Sequence, residues 1–83
     1  MFTNKALDGS ANRCGKVIAL RRKNMGKSQR QLADMLQIAG LDIDKNAIQR
    51  IESGKRFVTD IELVYLAQVL HLSYEELLGT KTL

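Results

Sequence analysis

The amino-acid sequence predicts an all-α domain built from five short helices around one hydrophobic core. Three observations support this prediction. Aliphatic residues supply most of the apolar content, since aromatic residues make up 5% of the 83 residues and proline is absent, which suits a helical bundle better than a sheet. No stretch of any length alternates as a strand would, and no internal repeat is present. Residues that cap helices recur ahead of apolar segments with helical periodicity. The length indicates one domain.

The first helix is predicted over residues 11–25, with Ser10 as its N-cap. Its inward face is expected to carry Cys14, Ile18, Arg22 and Met25. Gly26 fits the position directly after a helix. Residues 1–10 show no periodicity and are expected to form a flexible N-terminal arm.

The second helix is predicted over residues 28–39, where Ser28 and Gln31 have the spacing of a capping box. Its buried side is expected to carry Leu32, Ala33, Leu36 and Ala39. Gly40 is placed to end the helix, with Leu41 folding back onto it.

The third helix is predicted over residues 45–53. Asp44 serves as its N-cap, Ile43 and Ile48 form a hydrophobic staple, and Gly54 ends the helix. The residues expected to face inward are Ala47, Ile48 and Ile51. Those expected to face outward are Lys45, Asn46, Gln49, Arg50 and Ser53.

The fourth helix is predicted over residues 60–70, with Thr59 and Glu62 as its capping box. It is apolar around most of its circumference, which is typical of a central helix. A similar pattern predicts a short fifth helix over residues 74–78. Residues 80–83 are expected to fray at the C-terminus.

The charge of the chain is uneven along its length. Residues 1–56 hold 12 Lys+Arg against 5 Asp+Glu, a net of +7, whereas residues 57–83 hold 1 against 4, a net of −3. A basic front half suggests one surface turned toward a polyanion. Scattered charge more often marks a solvated surface, but the positions of the cations favour the first interpretation.

Several functional classes lack support in the sequence. Cys14, the single cysteine, is expected to be a small core residue, and with one histidine no zinc site is plausible. His71 is best explained as a helix-terminal residue. No phosphate loop or metal spacing indicates an enzyme or a cofactor. Without a signal peptide or a membrane span, a cytoplasmic protein is expected.

The outer face of the third helix is suited to reading DNA. The major groove admits one α-helix, and its base edges pair with long side chains such as Lys, Arg, Asn and Gln. An ordinary exposed helix mixes acids and bases, whereas Glu52 is the only acid between Lys45 and Phe57. Glu52 adjoins the inward-facing Ile51, and Arg22 is the best candidate for its basic partner.

Phosphate contacts at the flanks of a reading helix fix its register on DNA. Lys55 and Arg56 follow the third helix, while Lys27 and Gln29 lie at the start of the second. A phosphate near Gln29 would also meet the exposed backbone N–H groups of that first turn.

Four patterns in the chain occur in the order found in a known family. They are Gln29-x-x-Leu32-Ala33-x-x-Leu36, Ile48-x-x-Ile51-Glu52-x-Gly54-Lys55-Arg56, Leu63-x-x-Leu66-Ala67-x-x-Leu70 and Leu77-Leu78. Together they resemble the Xre-type, phage-repressor-like helix-turn-helix proteins over residues 13–79. The combined pattern is specific, whereas each part alone is weak.

The resemblance implies a five-helix DNA-binding domain, usually a dimer on a partly palindromic operator in double-stranded DNA. The implied base-reading residues are Lys45, Asn46, Gln49 and Arg50. The implied phosphate contacts are Gln29, Ser53, Lys55 and Arg56. The resemblance also implies a structural salt bridge between Arg22 and Glu52.

Two departures from the family pattern stand out. The segment from Leu36 to Ile48 is several residues longer than usual, so either the second helix is extended or the turn bulges. A family leucine late in the first helix falls at Arg21, with Leu20 one place early, which leaves the register of that helix open.

The leading hypothesis is a DNA-binding transcriptional regulator, most simply a homodimeric repressor. The alternative is an antitoxin-like or regulatory protein-interaction module on the same fold, since the acidic C-terminal part also carries leucine and tyrosine. Tyr74 and Leu78 are the candidates for a dimer contact, although core packing is an open alternative for Leu78.

Overall fold

The computed structural model describes residues 5–79, in which all the regular structure is helical. The five helices are α1 (Gly15–Asn24), α2 (Gln29–Ala39), α3 (Lys45–Glu52), α4 (Asp60–Leu70) and α5 (Tyr74–Leu78). Helix α2 packs against α3 and α4, while α1 packs against α3, α4 and α5. The predicted all-α, five-helix class is confirmed.

One core joins all five helices. Every helix contributes at least one aliphatic side chain that is fully buried, and such burial contributes roughly 1.5–3 kcal/mol per side chain. These side chains are Ile18, Leu32, Leu36, Ile48, Ile51, Leu66, Leu70 and Leu77. Since α3 supplies two of them, its inner side is fixed to the core and its outer side is left to solvent.

The predicted N-caps of the later helices are confirmed. Ser28 and Gln31 form a capping box at α2, Thr59 and Glu62 form one at α4, and Asp44 Oδ1 accepts a hydrogen bond of 2.8 Å from Ala47 N at α3. Each cap satisfies backbone donors that a helix N-terminus leaves without partners.

Helix α2 ends as the sequence predicts. Gly40 has a φ of +116°, a left-handed conformation that glycine adopts without steric cost. The chain then turns back, and Leu41 N donates to Leu36 O over 2.9 Å. Leu41 packs against the core, so the end of α2 is held by both a hydrogen bond and apolar contact.

The predicted start of the first helix is wrong. Helix α1 begins at Gly15 rather than at residue 11, and Ser10 does not cap it. The reason is that Ala11 and Asn12 bond to the segment around the end of α3: Ala11 N donates to Gly54 O over 2.8 Å. Residues 5–10 contain a turn closed by hydrogen bonds. The expectations for residues 1–4 and 80–83 lie outside the described residues.

The prediction of a central fourth helix is also wrong. Ile61 and Val64 of α4 are 66% and 49% exposed. Helix α4 packs against α1, α2 and α5, but part of its circumference faces solvent. Ala39, expected on the buried side of α2, is exposed as well, because it lies in the last turn beyond the packed region.

Candidate nucleic-acid interface

Helix α3 presents a polar face to solvent. Its two isoleucines are fully buried, while the opposite side carries the four exposed residues Lys45, Asn46, Gln49 and Arg50. Within residues 5–79, no salt bridge involves Lys45 or Arg50. The face is therefore free to donate hydrogen bonds to a ligand.

Glu52, at the end of α3, faces away from this polar surface. Arg22 of α1 donates to both of its carboxylate oxygens, over 2.7 and 2.9 Å, and Gln29 Nε2 of α2 donates to the same carboxylate over 3.1 Å. Arg22 is 8% exposed, and its hydrogen bonds to Glu52 raise the pKa of its guanidinium. The expected Arg22–Glu52 pair thus forms, and it joins three helices.

The candidate phosphate ligands occupy two places. Lys27 and Gln29 lie at the start of α2 and are half-buried, whereas Ser53 and Lys55 are exposed after α3. The Ser53 hydroxyl donates to Arg50 O over 3.1 Å. Gln29 keeps one amide hydrogen for another acceptor, because an amide group has two. Both places flank the polar face of α3 in the sequence.

Arg56 lies in a different situation from the other candidate phosphate ligands. Its guanidinium donates two hydrogen bonds to the Glu62 carboxylate of α4, over 3.0 and 2.9 Å. These bonds hold the pKa of Glu62 below its ordinary value. The charge of Arg56 is therefore already paired within the chain.

The structure shows the path of the lengthened connection between α2 and α3. Helix α2 runs for 11 residues to Ala39, and a five-residue segment, residues 40–44, then leads to α3. The Gln37 side chain donates to Ile43 O over 2.7 Å, and Ile43 is buried. The connection is therefore held by its own contacts, and the N-cap of α3 follows directly.

Arg21 occupies the position in α1 where the family has a leucine, and its side chain does not enter the core. Its Nε donates to Leu70 O over 2.8 Å, at the C-terminus of α4. A cation there also suits the helix dipole. Leu20, one residue earlier, is exposed, so Arg21 packs across the end of α4.

The side chain of Asn12 makes hydrogen bonds that the sequence prediction missed. Its side-chain amide donates to Ile51 O over 3.0 Å and to Arg56 O over 2.8 Å, and its Oδ1 accepts from Gly15 N over 2.8 Å. The only local signal is an asparagine three residues ahead of a helix start, which predicts the third bond but not the first two.

The two residues expected to form a dimer contact differ in exposure. Tyr74 is 53% exposed, whereas Leu78 is half-buried and its carbonyl oxygen accepts from Arg13 Nε over 2.9 Å. The sequence prediction missed Ile61 and Val64, which add exposed apolar area on α4. A shallow groove lies between α4 and the start of α5, lined by Val64, Ala67, Gln68, Leu72, Ser73 and Tyr74.

Other reactive groups do not form a site in the described part of the chain. Cys14 is 1% exposed, and burial raises the pKa of its thiol to about 11. His71 follows α4 in a left-handed conformation. Residues 5–79 contain no cluster of metal-ligating side chains. None of the described helices is both long enough and apolar enough to cross a bilayer.

Comparison with known proteins agrees with this geometry. A helix-turn-helix family model matches residues 18–77, which runs from within α1 to within α5 and covers more than half of the chain. Searches of curated proteins and of solved structures give no significant match.

Proposed function

Because the chain belongs to the Xre-type, phage-repressor-like helix-turn-helix family, whose members are DNA-binding transcriptional regulators, we propose that it binds specific double-stranded DNA as a homodimeric repressor. The observation that carries this proposal is the exposed, unpaired polar face of α3, anchored on its other side by Ile48 and Ile51.

We place α3 in the major groove of DNA. Arg50 and Lys45 have the donors for guanine O6 and N7, while Asn46 and Gln49 match the donor and acceptor pattern of adenine. All four side chains are exposed on the same short helix. Mixed contacts of this kind distinguish base pairs, because each base pair presents a distinct major-groove pattern.

The flanking residues fix this helix on the DNA backbone. Lys27 and Gln29 at the start of α2, with Ser53 and Lys55 after α3, supply donors to phosphate oxygens. The N-terminus of α2 adds its backbone N–H groups and its dipole. Arg56 contributes to phosphate binding only when its pair with Glu62 opens, so its expected contribution is the smallest of the set.

A two-fold pair would place two copies of α3 on successive turns of the groove. Half-sites would then be centred about 34–36 Å apart on a partly palindromic operator. Tyr74, Ile61 and Val64 supply exposed apolar area for the contact between copies, with Leu78 at its edge. A domain of this size gains stability from such burial.

The second candidate function is a protein-interaction module, either antitoxin-like or regulatory. It is favoured by the same exposed apolar residues on α4, since such patches commonly mark protein contacts. In that case the chain binds its partner protein equally well after Lys45, Asn46 and Arg50 are replaced together with alanine.

The test of DNA binding is a titration of the purified chain with DNA from upstream of its own gene at two salt concentrations. Each neutralised phosphate contributes about −0.9 to the slope of log affinity against log salt concentration. Four to six contacts per dimer would therefore weaken binding by about 100-fold or more between 50 and 200 mM salt. The absence of salt-sensitive binding to any fragment would contradict the proposal.

A further inference from the structure

We propose that Asn12 is a positioning residue for DNA reading: it holds the C-terminal end of α3 and the phosphate-contacting segment after it in one fixed arrangement. This inference rests on the proposed DNA-binding function. It concerns a residue that lies outside the helix-turn-helix unit and whose side-chain hydrogen bonds all go to backbone atoms.

The hydrogen bonds of Asn12 span two parts of the proposed interface. One amide hydrogen goes to Ile51 O, in the last turn of α3, and the other goes to Arg56 O, beyond Ser53 and Lys55. A single side chain therefore ties the base-reading helix to the far end of the segment that contacts phosphate. Both donors of the amide group are used, so its orientation is fixed.

The backbone around Asn12 reinforces this arrangement. Asn12 Oδ1 accepts from Gly15 N, which fixes the side chain at the start of α1. Gly15 lies so close to α3 that an added Cβ atom would collide with Ile51 O. Ala11 N donates to Gly54 O over 2.8 Å. Residues 11–15 thus follow the end of α3 closely, and Asn12 adds a second hydrogen bond to Ile51 O, which also accepts from Gly54 N.

The exact position of α3 matters for base contacts because the helix is only eight residues long. Base contacts require donors within hydrogen-bonding distance and angle, and these weaken steeply when the geometry departs from the optimum. Core packing of Ile48 and Ile51 and the Arg22–Glu52 pair hold the inner side of α3. Backbone hydrogen bonds already tie residues 53–55 to the last turn of α3, and Asn12 extends this connection to Arg56 through its bond to Arg56 O.

Two variants separate this role from simple capping. Asn12→Ser retains an oxygen for the bond from Gly15 N, but its single hydroxyl on a shorter side chain cannot replace the two amide donors to Ile51 O and Arg56 O. Asn12→Ala loses all three bonds. Val69→Ala is the matched control, because it trims a half-buried side chain of α4 that packs against the core and has no place in the proposed DNA or dimer contacts. It tests how far a general loss of packing, away from α3, changes binding.

The measurement compares binding to two duplexes under conditions where every variant is folded. One duplex is selected from a random-sequence library by the wild-type chain, and the other is a scrambled sequence of equal length. We expect Asn12→Ser and Asn12→Ala to weaken binding to the selected duplex by about tenfold, the equivalent of one lost well-placed interaction. Binding to the scrambled duplex, which depends on net charge, should stay within about twofold.

The outcomes separate this inference from the proposed function. If the wild-type chain enriches no sequence, the proposed function fails and the inference falls with it. If it enriches a sequence and Asn12→Ser reads that sequence as well as Val69→Ala does, the inference alone is overturned. Faster amide hydrogen exchange at residues 51–56 in Asn12→Ser than in Val69→Ala supports it independently of DNA, while equal exchange rates contradict it. Asn12→Ser decides the question even if Asn12→Ala does not fold.

Discussion

The exposed faces of α3 and α4 carry opposite kinds of side chain. The exposed residues of α3 are polar or basic, whereas α4 exposes Ile61 and Val64. Both helices pack their other side into the same aliphatic core. The comparison shows that a shared core leaves two outer surfaces with different chemistry, one suited to a polyanion and one to an apolar protein surface.

The two helices also differ in how they are supported. Both helices begin with a neighbouring cap, Asp44 or Thr59, and each has a carbonyl near its end that accepts from a remote side chain. Helix α3 is held in addition by the remote, buried pair of Arg22 with Glu52, whereas the carboxylate of Glu62 in α4 pairs with Arg56, only six residues away. Remote side chains fix the orientation of a helix relative to other elements, whereas a local cap fixes only where it starts. This difference suits a helix whose orientation decides its contacts with DNA.

The largest expected effect comes from removing the polar face of α3. Replacing Lys45, Asn46 and Arg50 together with alanine should weaken binding to the selected duplex by at least about 100-fold, since each good base contact contributes about 1–3 kcal/mol. The free energy of unfolding should change little, because exposed side chains far from packing contacts contribute weakly. Fluorescence anisotropy and urea unfolding measure the two quantities.

A matched control for this variant is Lys23→Ala, which removes an exposed cation from α1 outside the proposed interface. It should leave specific affinity nearly unchanged. If the triple variant still binds the selected duplex within about tenfold of the wild type, the difference between the faces of α3 and α4 does not reflect DNA reading.

The support of α3 provides the second prediction. Arg22→Ala should lower the free energy of unfolding by about 3–5 kcal/mol, because it leaves the Glu52 carboxylate buried without its cationic partner. The side chain of Glu52 is 7% exposed. Urea unfolding followed by circular dichroism measures the loss. Replacing Arg22 and Glu52 together with methionine is the control, and it should restore much of the stability. A loss below about 1 kcal/mol for Arg22→Ala would show that the Arg22–Glu52 pair contributes little to holding α3.

The exposed apolar face of α4 provides the third prediction. Replacing Ile61 and Val64 together with serine should weaken self-association by about tenfold or more, because apolar area is lost from the contact between copies. Sedimentation equilibrium measures the association constant. Ile38→Ser is a matched control, since it removes a similarly exposed aliphatic side chain from α2. An unchanged association constant in the α4 variant would move the contact to Tyr74 and Leu78.

The elements that could be predicted from sequence are those set by local chemistry. Ser28, Asp44 and Thr59 begin their helices because each side chain bonds to a backbone N–H three residues on, and that spacing is visible in the sequence. The start of α1 could not be predicted in the same way. Asn12 and Ala11 bond to residues about 40 positions away, and nothing in their spacing indicates those partners.

In the candidate site, too, some features could be predicted from the sequence and others could not. The outward face of α3 follows from helical periodicity, because the inward Ile48 and Ile51 determine which residues point away. Arg56 was predicted among the phosphate ligands on its position after Gly54, but its pair with Glu62 depends on how the loop before α4 folds. The exposure of Ile61 also depends on packing, since hydrophobicity predicts burial without saying what covers a residue.

The smallest expected effect concerns the Arg56–Glu62 pair, which connects the segment after α3 to α4. Because hydrogen bonds from Arg56 lower the pKa of Glu62 in the folded chain, the pair stabilises the fold fully above the unfolded pKa of a glutamate, and this contribution is lost as the pH falls through the lowered folded pKa. Glu62→Gln keeps a capping oxygen but cannot titrate. Between about pH 5 and pH 3 the wild type should therefore lose more stability than Glu62→Gln, by about 1 kcal/mol or less, measured by urea unfolding at each pH. Parallel losses would show that the pair contributes little. If Glu62→Gln also releases Arg56 to DNA, the salt slope of binding should steepen by about one per chain, and this would show that the two faces are electrostatically coupled.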